Sequence, residues 1–223
     1  ALSLAIDRQE LVDILFFGYG KICNGPFLPD SFAYNEKIKP ITQNIEKAKE
    51  LLKELGYDEN NPFTFEVVTN TGNDTRINTA QILQYQLEKV GVKMTIRVME
   101  WQAFLNTVVH PKKFDAVILG WSLGLMPDAY PLWHSSSDKL GGFNLVSYKN
   151  EKVDKLIEDG INTINREELG KIYKEIFKII SDDLPYLFIY IPDGITVVNK
   201  EIKNVEPSFI GIMHNQKDWE LEQ

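Results

Sequence analysis

The chain has 223 residues, 43% of them hydrophobic and 25% charged, and a net charge of −8. These are values of an ordinary globular protein, with length enough for a substantial core. The acidic balance, with lysines dispersed among acids on helix faces, excludes the basic face that nucleic-acid phosphates require.

A single cysteine, Cys23, excludes an internal disulfide, a C-x-x-C pair and a zinc cluster. It lies in a Gly/Pro-rich loop with no histidine beside it, so nothing nearby activates the thiol. No apolar run approaches the ~20 residues of a membrane helix, and no signal peptide opens the chain. The first residues read as the middle of a structured element, so the expectation is a natural N-terminus further upstream.

Residues 1–17 carry an amphipathic pattern in which Leu4, Leu11, Ile14 and Leu15 share a stripe, with Gly18 as the stop. Residues 18–44 read as an ordered loop rich in Gly, Pro, Asn and aromatics. A short helix is predicted over 45–55, capped by Asn44 and ended by Gly56. Residues 63–69 alternate as a strand. The 70–74 loop follows, then a helix with Ala80, Leu83, Leu87 and Val90 at helical spacing, a stop at Gly91, and a second strand over 92–98.

That run is a βαβ unit, which implies parallel strands. A short helix near Trp101 and a third strand over 114–119 come next. Helices are predicted over 151–162 and 166–182. The second has a buried stripe of Leu169, Ile172, Tyr173, Ile176, Phe177 and Ile180, and is closed by Pro185. Two last strands are predicted over 186–191 and 195–198. The fold class is α/β.

Several constellations invite chemistry. Gly120-Trp121-Ser122-Leu123-Gly124 matches the G-x-S-x-G nucleophile elbow and follows a strand. A hydrolase would use Ser122 with Asp182 or Asp183 and then His214. The elbow also needs a helix directly after the serine, and Pro127 interrupts one there. No His-Gly-Gly oxyanion segment lies upstream. His110, His134 and His214 lack metal-site spacing, and no metal or cofactor site is expected.

The 70–74 loop joins a strand end to a helix start, where backbone amides bind anions or polar groups. Asn70 and Thr71 are candidate ligand contacts there, and Asn73 or Asp74 is the candidate cap. Residues 120–148 interleave Trp121, Tyr130, Trp133, Phe143 and Tyr148 with Asp128, Ser135, Ser136, Ser137 and Asn144. Aromatics with a few polar groups are what small-molecule clefts use. Trp121, at the strand end, is assigned to the cleft with Ser122, Leu123 and Asp128. Trp133 joins them as a further contact, and Phe143 and Tyr148 are read as core plugs.

An ordered series of motifs carries a resemblance. It comprises Ala1-x-x-x-Ala5-Ile6-Asp7-Arg8, Gly25-Pro26 with Pro29, Ala48-Lys49-x-Leu51-Leu52 with Gly56-Tyr57, and Gly120-Trp121. Pro127-Asp128-x-Tyr130-x-Leu132-Trp133, then Asn144-x-x-x-Tyr148-x-Asn150-x-x-Val153-Asp154, then Trp219 after Lys217 and Asp218 complete it. The series resembles the family 5 extracellular solute-binding proteins, the peptide and nickel binders of ABC importers.

The resemblance implies a periplasmic-binding-protein type II-like lobe with βαβ units and flanking helices. Residues 1–223 would form the C-terminal ligand-binding lobe, with about 185–223 as the returning hinge segment and the N-terminal lobe upstream. It implies non-catalytic capture of an oligopeptide or similar solute, ABC permease subunits as partners, and a periplasmic or extracellular location. The membrane tether would be a lipid anchor outside this stretch. In peptide-binding relatives an Asp three residues after the Gly-Trp holds the ligand's α-amino group. Here Gly124 stands at that position.

Overall fold

The computed structural model describes residues 1–124, 126–208 and 211–222. The amphipathic N-terminal stretch forms two helices, α1 (Leu2–Ala5) and α2 (Arg8–Phe16). The expected single helix breaks because Ile6 is extended (ψ 122°) and the Asp7 side chain accepts from the Glu10 amide at 3.0 Å, a new N-cap. Leu11 is fully buried, whereas Ile14 is 54% exposed, so the stripe is narrower than the pattern implied.

The loop that follows contains an unexpected strand, β1 (Gly20–Ile22). Helix α3 (Ile45–Glu54) begins on Asn44, whose side chain accepts from the Lys47 amide at 2.9 Å. Strand β2 (Thr64–Asn70), helix α4 (Asp74–Glu88) and strand β3 (Lys93–Met99) are the βαβ unit. β2 and β3 pair in parallel from Thr64↔Lys93 to Asn70↔Met99. Asn73 caps α4 by accepting from the Arg76 amide at 3.0 Å, and Gly91 turns the chain at φ +82°.

Helix α5 (Trp101–Phe104) runs on into a single π-helical stretch over Leu105–Val109. The third strand is shorter than expected: β4 is Ala116–Val117, parallel to β2 on the side away from β3. A short α6 (Tyr130–Trp133) precedes the long helices α7 (Glu151–Ile161) and α8 (Arg166–Asp183). Their N-caps are Asn150 and Asn165, each accepting two backbone amides. The α8 stripe is buried as expected at Tyr173, Ile176, Phe177 and Ile180.

Strand β5 (Tyr190–Pro192) pairs antiparallel with β1. Only the end of the predicted 186–191 strand is therefore in a ladder. The strand expected over 195–198 is absent: Ile195 and Val197 are exposed, and the chain pairs later through β6 (Ile202–Lys203) and β7 (Glu220–Leu221).

Three apolar clusters form the core. One packs α1–α4 against one face of the three-stranded sheet. The second joins α6, α7 and α8 to the 27–38 loop around Trp133 and Phe177. The third packs Phe104, Val108 and Val109 on the sheet's Val68 and on Leu145 of the later loop. The chain leaving β4 crosses from sheet to helices between these clusters, at the carboxyl ends of parallel strands, where open α/β sheets place ligands.

Candidate ligand groove

Past β4 the chain runs without regular structure through Gly120–Gly124 and reaches its next helix only at Tyr130. Trp121 stands at this crossing, 38% exposed. Two cavities of about 560 and 580 Å³ meet there, and both are lined by Trp121, Leu123, Phe27 and Leu132. They form one mostly apolar groove, of the size and character of small-molecule sites.

The two halves differ in charge. Beyond Trp121 on the α6 side, the charged lining residues among those described are Asp30 and Asp128. On the α4 side the charged lining residue is Arg76. Asp128 Oδ1 accepts from the Tyr130 amide at 3.0 Å in the turn that leads into α6, leaving its second oxygen for other partners. Arg76 donates through Nη1 to Asn70 Oδ1 at 2.8 Å, and its guanidinium lies 5.5 Å from the Trp101 ring. Burial lowers the Arg76 pKa from its ordinary value, partly opposed by Tyr190. Tyr190 shares a 2.8 Å hydrogen bond with Thr79, and both line the same half.

The expected contacts thus separate. Trp121, Ser122, Leu123 and Asp128 all lie on the groove. Trp133 borders it but is 1% exposed, packed against Tyr186 at 4.7 Å between ring centroids and edge-on to Tyr148 at 6.1 Å. It is a core residue first. Asn70 and Thr71 line neither cavity. Asn70 is buried and orients Arg76, while Thr71 is exposed.

Phe143, expected as a core plug, is 51% exposed and stands edge-on to Trp121 at 5.7 Å, on the groove wall. Tyr148 is half-buried, and its hydroxyl donates to Asp183 at 2.6 Å. Burial and that carboxylate both raise its pKa. Arg76 went unnoticed in the sequence. The available signal was a cation in the first turn of a helix, against the helix dipole, beside a strand's carboxyl end.

Tyr186 lines the floor of the α4-side half. Burial pushes its phenol up to about 12, with the nearby Trp121 indole acting in the opposite direction. Its oxygen and Trp133 Nε1 are buried without a well-formed hydrogen bond among the described residues.

The elbow reading fails on geometry. Ser122 is exposed, and the next helix among the described residues begins only at Tyr130. His214 Nδ1 lies 3.2 Å from the Gly211 carbonyl oxygen. Asp182 pairs with Lys178 at 2.5 Å, and Asp183 accepts from Tyr148 and Asn150. Among the described residues no hydrogen bond joins Ser122 to a histidine, so nothing generates its alkoxide. Those residues also hold no cluster of three or more His, Cys, Asp or Glu fit for a metal ion. No helix among them is long and apolar enough to cross a membrane.

The chain and its fold are similar to known proteins. The chain is 32% identical to the oligopeptide-binding protein AppA of Bacillus subtilis over 234 residues, covering 99% of this chain and 43% of that protein. The structure of that protein in complex with a nonapeptide superposes with a TM-score of 0.86, covering 100% of this chain and 46% of that one. The nickel-binding protein NikA of Staphylococcus aureus is 31% identical over 95% of this chain and 43% of its own length. Its structure with Ni(L-His)2 gives a TM-score of 0.77 at 27% identity, covering 95% of this chain and 45% of that one.

The peptide-bound periplasmic binding protein DppA of Helicobacter pylori gives a TM-score of 0.84 at 26% identity, covering 100% of this chain and 43% of that one. The chain therefore spans less than half the length of these relatives. Residues 1–143 match the family model for bacterial extracellular solute-binding proteins, family 5 Middle, and the chain belongs to that family.

Proposed function

We propose that this chain is the C-terminal ligand-binding lobe of an importer's solute-binding protein, holding an oligopeptide or similar small solute without chemical change. The observation that carries the reading is the groove divided by Trp121, apolar along its walls, with carboxylates lining one half and a guanidinium lining the other. An extended zwitterionic chain matches that layout: its apolar body lies on Trp121 while its ends meet opposite charges.

In this reading an N-terminal lobe closes over the groove, residues from about 185 onward return toward the hinge, and ABC permease subunits receive the ligand. Domain closure of this kind supplies affinity by desolvating the solute. The protein acts outside the cytoplasmic membrane, in the periplasm or at the cell surface, tethered through a lipid anchor.

Gly124 qualifies the ligand. Among the described residues, only the Met126 carbonyl oxygen, at 3.8 Å, comes within 4 Å of a Cβ built there. Space for a carboxylate exists at that position, yet none is present. An α-amino group therefore relies on Asp128 or Asp30, and a ligand lacking a free amine is equally accommodated.

Trp121→Ala, in the protein that carries this chain, is expected to weaken ligand binding by about 1–3 kcal/mol, the loss of a buried aromatic anchor. Calorimetric titration with the solute that co-purifies, identified by mass spectrometry, measures it. An unchanged dissociation constant removes Trp121 from the site. A fluorophosphonate probe is expected to leave the folded protein unlabelled, and stoichiometric labelling at Ser122 would restore the hydrolase.

A further inference from the structure

Phe143 reaches the groove from a loop that is fastened on both sides. The residue before it is Gly142, where an added Cβ would sit 2.1 Å from the Ser137 carbonyl oxygen, so no other residue fits without moving the backbone. The residue after it is Asn144, fully buried. Its amide donates to the carbonyls of His134 at 3.3 Å and Tyr148 at 2.8 Å, and its Oδ1 accepts from the Tyr148 amide at 2.9 Å. Leu145 then inserts into the cluster of Phe104, Val108 and Val109.

Lys112 closes the arrangement from outside the loop. It follows the π-helical stretch at φ +55°. Its ammonium donates to the Asn144 carbonyl at 2.7 Å, to Ser147 Oγ at 3.2 Å and to Asp138. Asp138 also accepts from Ser147 at 2.8 Å and pairs with Lys149 at 3.1 Å. These donors, Lys112 first, hold the Asp138 carboxyl down at about 2, so the clamp stays ionised through ordinary pH. Fastened segments of this kind fix a side chain's position more tightly than a free loop does.

We propose that Phe143 is a specificity-determining wall of the groove, and that Lys112 with Asp138 positions it against Trp121. Resting on the reading of this groove as a solute site, the slot between Trp121, Phe143 and Leu132 selects an apolar or aromatic side chain on the ligand. Phe143 touches the ligand; Lys112 and Asp138 act only through the loop.

The test has two arms. With 5-fluorotryptophan incorporated, fluorine NMR of the wild type, Phe143→Ala, Lys112→Met and Asp138→Asn follows Trp121, its resonance assigned by Trp121→Phe. Phe143→Ala removes the ring edge facing the indole, and both clamp variants are expected to move the same resonance while the other three tryptophan signals stay in place. Asp138→Asn keeps the shape and serves if Lys112→Met does not fold. A Trp121 resonance at its wild-type position in the clamp variants overturns the positioning role, whatever the ligand.

In the second arm, calorimetry compares the tetrapeptides Ala-Phe-Ala-Ala and Ala-Ala-Ala-Ala. The wild-type preference for the first is expected to fall by roughly tenfold in Phe143→Ala, the loss of one aromatic contact, and in the same direction in the clamp variants. A preference retained in Phe143→Ala overturns the specificity role. A wild type that binds neither peptide sinks the peptide reading and the specificity role together, and the ligand-free NMR arm tells that failure from failure of the clamp.

Discussion

Replacing Arg8 with alanine is expected to destabilise the fold by about 3–5 kcal/mol, the cost of leaving several buried and half-buried acceptors without donors. Arg8 is 5% exposed. Its Nε donates to the Phe188 carbonyl at 2.7 Å, and Nη1 to the carbonyls of Ser3 at 3.0 Å and Ile41 at 3.2 Å. Nη2 donates to Ser3 Oγ at 2.6 Å. None of these partners is charged, so the guanidinium works as a forked donor joining three distant stretches of chain. Burial lowers its pKa from the ordinary value, but an arginine stays protonated at any pH where the fold is studied.

Removing the side chain strands the Phe188, Ser3 and Ile41 carbonyls together. Arg8→Met, which keeps an apolar stem, is expected to cost nearly as much, because the acceptors remain unmet. Arg8→Lys brings three rotatable donors on one atom in place of a planar fork, and is expected to recover only part of the loss. Urea unfolding measures all three, with the midpoint falling at constant slope. A loss below about 1 kcal/mol for Arg8→Ala would mean that the carbonyls find other donors.

The role of Arg8 was invisible in the sequence, where it is only the last residue of a motif, and the reason is physical. Signals that repeat within a few residues are local. Ala80, Leu83 and Leu87 announce the buried face of α4 by their spacing, and Asn44 and Gly56 announce the ends of α3 by the groups they supply. The βαβ unit was legible because its strands and helix each carry such a signal.

The β1–β5 ladder was not legible. It joins Gly20 to Pro192, and three-residue strands leave no period to read. The same limit governs the groove. Trp121 was placed by its position at a strand end, which is a local fact. Arg76 faces the groove because Asn70 and the Trp101 ring hold it there, and those contacts exist only after β2, α4 and α5 have packed. Phe143 was read as a core plug because hydrophobicity alone predicts burial. Its exposure follows from the fastening of Gly142 and Asn144, which points the side chain between them outward.

Trp121 and Trp133 stand twelve positions apart in one aromatic loop, and composition could not separate them. Their substitutions are expected to. Trp133→Ala is expected to cost about 3–5 kcal/mol of stability, the range for emptying a fully buried aromatic site. Trp121→Ala is expected to cost within about 1 kcal/mol, since more than a third of that ring already meets solvent. Trp133→Phe sharpens the case. The indole Nε1 is buried with no hydrogen-bond partner among the described residues, and an unmet buried donor carries a penalty of about 1–3 kcal/mol.

Phenylalanine gives up part of the ring's volume but removes that penalty, so the two effects oppose each other. Trp133→Phe is therefore expected to lie within about 1.5 kcal/mol of the wild type. Thermal or urea unfolding of the three variants orders them. A Trp133→Phe variant as damaged as Trp133→Ala would show that the indole N–H is satisfied in the working protein.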